Sequence, residues 1–131
     1  MIRKSVILMI WALLFVCSAD MADCTSLNAS EKDHKYEIIF VELGSVKCIP
    51  CRMMQPVMER LERNFTGKVK VMFHDVWTKE GKPYAKQYRI RAIPTQVFLD
   101  RDGKEIYRHT GFFPYEEIVK LLKRLSVEPV Q

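Results

Sequence analysis

The sequence predicts an α/β fold with the element order β-α-β-α-β-β-α. Short apolar runs of strand length alternate with stretches whose apolar residues recur at helical spacing. Cys48-Ile49-Pro50-Cys51 stands where the first apolar run gives way to the first helical stretch, and Asp100-Arg101-Asp102-Gly103 separates two later runs as a hairpin turn. At 131 residues there is room for one domain, and 48% apolar residues supply an ordinary core.

The first strand is expected over Tyr36 to Leu43, where Ile38-Ile39-Phe40-Val41 reads as a strand buried on both faces. Residues 50–64 are predicted to be a helix, with Met53, Met54, Val57, Met58 and Leu61 on its apolar side and a kink at Pro56. Met53, Met54 and Met58 are assigned to the core rather than to a metal. Lys68 to Val76 alternates, placing Val69, Val71 and Phe73 on one face of a second strand. A second helix fits 79–89, and Trp77 and Tyr84 nearby are given packing roles. Gln96 to Leu99 and Glu105 to His109 form the strands either side of the hairpin turn. Pro114 to Leu125 closes the chain as an amphipathic helix with Ile118, Leu121, Leu122 and Leu125 facing inward. No repeat, low-complexity tract or second domain is visible.

The N-terminus follows a different pattern. Arg3 and Lys4 precede an unbroken apolar run from Val6 to Val16, followed by Cys17-Ser18-Ala19, the arrangement of a secretory signal peptide. As a helix that run would reach roughly 17 Å, about half the hydrocarbon core of a bilayer. The expected organisation is therefore a signal peptide over 1–19 cleaved after Ala19, a flexible lead-in over 20–35, and a domain over 36–131. An uncleaved membrane tether is the alternative, and lipidation at Cys17 ranks below simple secretion because Val16 is bulky. Loss of Arg3 and Lys4 lowers the net charge from +5 to +3. The remaining cations are interspersed with acids, the pattern of a solvated surface rather than a nucleic-acid groove. Cys24, Cys48 and Cys51 remain, too few for a disulfide scaffold. Cys24 is read as an incidental thiol.

The cysteine pair points to thiol–disulfide chemistry. Both sulfurs fall at a helix N-terminus, where unpaired N–H groups favour a thiolate, and Lys47 adds a positive charge. Cys48, the outer sulfur, is the expected nucleophile, and Cys51, one turn along, is placed to resolve a mixed disulfide. Pro50 suits the first helical turn, where its missing N–H is no loss. A purely structural bridge and half of a zinc site stand as the alternatives. His34, His74, His109 and Cys24 offer no zinc-ligand spacing, so no metal is expected.

From about Tyr36 to Leu125 the chain resembles the thioredoxin superfamily in its minimal form. The resemblance rests on Cys48-Ile49-Pro50-Cys51, Arg52-Met53, Pro56, Tyr88-Arg89-Ile90-Arg91-Ala92-Ile93-Pro94-Thr95, Asp102-Gly103 and Gly111. It implies a thioredoxin fold, with a four-stranded mixed sheet flanked by helices. It also implies a redox-active Cys48–Cys51 disulfide, no cofactor and a monomer. Pro94 matches the family's cis-proline, so the backbone of Ile93 is expected to bind an extended client segment, with Lys47, Ile49 and Pro50 beside it. Glu42, six residues before Cys48, resembles the site of a buried aspartate that helps proton transfer at the resolving cysteine. The alternative is a Glu pointing outward at a strand end. The chain departs from the family at Lys47, where thioredoxins carry a tryptophan, and at Gly44 and Ser45, which replace bulkier residues. Ile49-Pro50 lacks the histidine of strongly oxidising relatives and resembles the reducing branch. The expectation is an exported, periplasmic reductase of oxidised client proteins, supplied by a membrane electron donor of the DsbD/CcdA kind. An oxidase or isomerase is the alternative, and a binding module with vestigial cysteines is a third reading.

Overall fold

The protein is described here by a computed structural model covering residues 35–131. The readings for the signal peptide, for the lead-in up to residue 34, and for Cys17, Cys24 and His34 lie outside the described residues.

Strand β1 (Ile38–Gly44) lies inside the sheet of the described domain, and its apolar residues point alternately to two covered faces. It pairs in parallel with β2 (Val69–Asp75) and antiparallel with β3 (Thr95–Asp100), which pairs in turn with β4 (Glu105–Thr110). The result is a four-stranded mixed sheet of order β2-β1-β3-β4. The helices are α1 (Ile49–Arg52), α2 (Gln55–Asn64), α3 (Lys82–Gln87) and α4 (Tyr115–Arg124). No helix among the described residues is long and apolar enough to cross a membrane.

Ile38 and Phe40 of β1 and Phe98 of β3 meet Met54, Val57, Leu61 and Phe65 from the α2 region and Ile118, Leu121 and Leu122 from α4. Phe40 and Phe98 are partners in register and meet edge to face, with ring centroids 5.1 Å apart. Burying each such side chain stabilises the fold by about 1.5–3 kcal/mol. On the opposite face Val41, Leu43 and Val97 pack against Tyr84, Ala85, Tyr88, Ile90 and Ile93.

The helix expected over 50–64 is two helices. Pro56 has no N–H to give to the carbonyl of Arg52, and its ring crowds that carbonyl, so the chain turns at Met53 and Met54 before α2 begins. The break corrects one core assignment: Met54 and Met58 are buried, but Met53 is 51% exposed. The helix expected over 79–89 is shorter. Gly81 packs so closely on the end of β2 that a Cβ there would lie 1.8 Å from the Asp75 carbonyl oxygen, and Arg89 leaves the helical region with φ 50°. Trp77 does not pack as expected but is 61% exposed, while Tyr84 stacks on His74 with ring centroids 3.5 Å apart. At the hairpin, Gly103 adopts φ 78° and donates to the Asp100 carbonyl at 2.9 Å.

Candidate active site

Cys48 and Cys51 are joined in a disulfide with their Cα atoms 5.2 Å apart. The chain leaves β1 at Gly44 and closes a turn in which the Cys48 N–H donates to the Ser45 carbonyl at 3.1 Å. Cys48 then caps α1, and its own carbonyl accepts from Arg52 at 3.0 Å. Cys51 lies inside that single turn. The two sulfurs are therefore unequal: Cys48 is 9% exposed and Cys51 is 1% exposed. An outer sulfur that meets a client and an inner sulfur that resolves the product is what dithiol exchange requires. Lys47 and Pro50 are exposed beside the pair, and Val46 at 58%, Ile49 at 73% and Trp77 at 61% put apolar surface around it.

The turn before Cys48 is held from β2. Asp75, the last residue of that strand, accepts the Val46 N–H through Oδ2 at 3.1 Å and the Trp77 N–H through Oδ1 at 3.0 Å. Desolvation pulls its pKa upward, but those two N–H groups, the Ser45 side chain and the charge of Lys47 outweigh it, so the carboxyl stays below its usual range. The Lys47 N–H donates to Ser45 Oγ at 3.2 Å.

Behind the pair, Glu42 occupies the same face of β1 as Ile38 and Phe40 and is fully buried. The outward-facing alternative for Glu42 is therefore incorrect. Burial raises its carboxyl from 4.5 to about 8, with the Gln96 amide pulling a little the other way. Gly44 explains how it approaches the cysteines. A Cβ on Gly44 would lie 3.1 Å from Cys51 Cβ, 3.3 Å from Cys51 Sγ and 3.4 Å from Glu42 Oε1. The hollow left by the missing side chain is thus shared by the inner sulfur and the carboxyl.

Ile93 and Pro94 lead into β3, whose first residue, Thr95, is in register with Leu43 near the end of β1. They therefore approach the sheet at the end from which the cysteine turn departs. The Ile93–Pro94 peptide bond is cis, and the Pro94 carbonyl accepts the Gly111 N–H at 2.8 Å. Ile93 is half-buried, and its backbone N–H and carbonyl have no hydrogen-bond partner among the described residues.

The residues that sequence reasoning missed are polar ones whose setting depends on pairing. Asp75 looked like the end of an alternating strand. Gln96 opens the strand Gln96 to Leu99 with no role assigned, although its even spacing from Phe98 is a signal that both face the core. Gln96 is fully buried opposite Glu42.

Residues 24–126 match the family described as the thioredoxin-like domain. A chloroplastic thioredoxin of Arabidopsis thaliana is 34% identical over 90 residues, a stretch covering 69% of this chain and 45% of that one. The chain thus spans less than half of that relative. A thioredoxin of Staphylococcus epidermidis is 31% identical over 97 residues, covering 72% of this chain and 90% of its own length. Among solved structures, a mutant thioredoxin from Halobacterium salinarum superposes with a TM-score of 0.60 at 25% identity, covering 73% of this chain and 79% of that one.

Proposed function

The chain belongs to the thioredoxin-like family of thiol–disulfide oxidoreductases, and we propose on that premise that it works outside the cytoplasm as a reductase of client disulfides. The observation that carries the reading is the inequality of the two sulfurs, one with an edge open to solvent beside exposed apolar side chains and one sealed beside a carboxyl. The basic start and the apolar run from Val6 to Val16 support export.

In the reduced protein the Cys48 thiolate attacks one sulfur of a client disulfide. A Cys48–client disulfide forms and the other client sulfur leaves as a thiolate. Cys51 then attacks Cys48 Sγ: its S–H bond breaks, the proton passes to the Glu42 carboxylate, and the Cys48–Cys51 bond forms. The bond from Cys48 to the client breaks, and the client sulfur that Cys48 had held departs with the electron pair. Two electrons have moved to the client, and a dithiol donor of the membrane-bound kind restores the pair. A carboxyl raised to about 8 is a strong enough base to take a thiol's proton and a strong enough acid to return it near neutral pH. The free backbone edge of Ile93 and the exposed Ile49, Pro50 and Lys47 are the groups that would hold an extended client segment. Proline before Cys51, with no histidine between the cysteines, supports the reducing direction.

The reduction potential of the Cys48/Cys51 couple, measured against dithiothreitol or glutathione buffers, tests the direction. The expected value lies near or below about −250 mV, and one above about −180 mV would make the protein an oxidant or isomerase. Cys51→Ser is expected to accumulate the Cys48–client disulfide. Cys48→Ser is expected to abolish turnover, and full function in that variant would instead indicate a binding module.

A further inference from the structure

Glu42 and Gln96 are direct partners in the antiparallel register of β1 and β3, next to the Phe40–Phe98 pair on the same face, and both are 0% exposed. Position 96 is flanked by Val97 and followed on the same face by Phe98, so an apolar side chain is what packing alone would place there. A buried amide without a good partner is destabilising, because it gives up its hydrogen bonds to water. Yet Gln96 Oε1 and Nε2 and both Glu42 oxygens have no hydrogen-bond partner among the described residues. The amide is close enough to lower the carboxyl's proton affinity but stands off hydrogen-bonding geometry. Two facing, loosely held polar groups in a sealed core call for an account beyond packing.

We propose that Gln96 is a positioning residue for Glu42, an amide partner able to serve both protonation states of the carboxyl and so keep its proton exchangeable with Cys51. This rests on the assignment of Glu42 as the base for Cys51. A carboxylate only accepts hydrogen bonds, whereas a protonated carboxyl must also donate one. The amide has an N–H₂ end for the first state and a carbonyl end for the second, and rotation about its last torsion exchanges them. An apolar residue serves neither state, and a second carboxylate would repel the first. When Cys51 attacks the mixed disulfide, its proton moves to Glu42 and the amide turns its carbonyl to the new O–H. When the pair is reduced again, the proton returns to sulfur and the N–H₂ end faces the carboxylate. The ionisable groups on the helix side of Glu42 are Cys51 and, beyond it, Cys48. Its register neighbours, Phe73 on β2 and Gln96 on β3, do not titrate, and no charged side chain enters the balance.

The test is the pH dependence of mixed-disulfide resolution in the full chain, with a chromogenic aromatic disulfide as client, for the parent, Gln96→Met, Glu42→Gln and the double variant. Met keeps the volume of Gln and removes both polar ends. In the parent the rate should rise with pH as the carboxyl ionises. In Gln96→Met the midpoint should move up by about one unit, a rate about tenfold lower at pH 7, with an unchanged plateau at high pH. Glu42→Gln should remove the limb, and adding Gln96→Met should then change nothing. In the redox-difference infrared spectrum, the protonated carboxyl band should shift to higher frequency in Gln96→Met, a signature that a purely structural role would not produce. A midpoint and band unmoved by Gln96→Met, while Glu42→Gln removes the limb, would overturn the role of Gln96 alone. A limb that survives in Glu42→Gln would overturn the base assignment itself, and this proposal with it.

Discussion

At the scale of single residues, Glu42 is where the fold surrenders stability. Its carboxyl is 0% exposed and holds its proton up to a pKa of about 8, against 4.5 in the unfolded chain. Between those values the folded state binds a proton that the unfolded state has released, so stability falls as pH rises from about 4.5 to about 8 and is level above. The full shift corresponds to roughly 5 kcal/mol, an order-of-magnitude ceiling. Glu42→Gln has nothing to ionise and should lose the slope, becoming more stable than the parent by about 3–5 kcal/mol at pH 9 and by far less at pH 5. Denaturant unfolding of the oxidised protein at the two pH values checks this, and an identical slope in parent and variant would refute it. Glu42 was legible because a charge inside an apolar run is conspicuous, and Cys48 and Cys51 because their spacing is. Gln96 and Asp75 were not, since a polar residue on an alternating strand acquires its meaning only from the strand opposite.

At the scale of elements, the cysteine turn depends on β2 as much as on the β1 from which it springs. The Asp75 carboxylate joins the Val46 N–H to the Trp77 N–H, and its carbonyl accepts from Thr78 Oγ1 at 2.8 Å. One side chain therefore ties together the two loops that frame the disulfide. Asp75→Ala removes both carboxylate contacts and should cost about 1–3 kcal/mol, since each is a hydrogen bond to a charged acceptor. The loss should be concentrated locally: amide exchange at Val46 and Trp77 should accelerate, while Phe40 and Phe98 in the sheet centre keep their protection relative to global unfolding. Uniform acceleration across the sheet would mean that Asp75 supports the whole fold rather than the turn. Element order and the hydrophobic faces were readable from periodicity. The break between α1 and α2 was not, because Met53 and Met54 continue the helical spacing while the missing N–H of Pro56 interrupts the backbone beneath it. The exposure of Met53 and Trp77 follows from the same limit, since spacing locates an apolar residue but not what covers it.

At the scale of the whole molecule, charge is sorted rather than merely interspersed. Around α2, β4 and α4 cations meet acids, as in Arg60–Glu116 at 3.3 Å, Arg108–Glu105 at 2.7 Å and Lys120–Glu117 at 2.7 Å. From Lys79 to Arg91 the balance changes. Lys79, Lys82, Lys86, Arg89 and Arg91 are exposed and form no ion pair among the described residues, and Glu80 is the only acid in that stretch. Three of these lysines rim an open groove of about 590 Å³ floored by Pro83, Ala85 and Ile90. The strip leads in sequence into Ile93 and Pro94, the segment proposed to hold the client. Like-signed exposed charges steer an oppositely charged partner before contact, and salt cancels the effect beyond about 10 Å at 0.1 M. An acidic client should therefore be reduced faster than a basic one of the same disulfide sequence, by about tenfold at low ionic strength. The difference should collapse at 0.3 M salt while the rate of the resolving step stays constant. Stopped-flow reduction of two disulfide peptides differing only in flanking Glu or Lys, with the parent and with Lys82→Glu/Lys86→Glu, measures it. Equal rates for the two peptides at low salt would show that the strip is only a solvated surface. A preference retained at high salt would place discrimination in the contacts around Ile49 and Ile93 instead of in the long-range field.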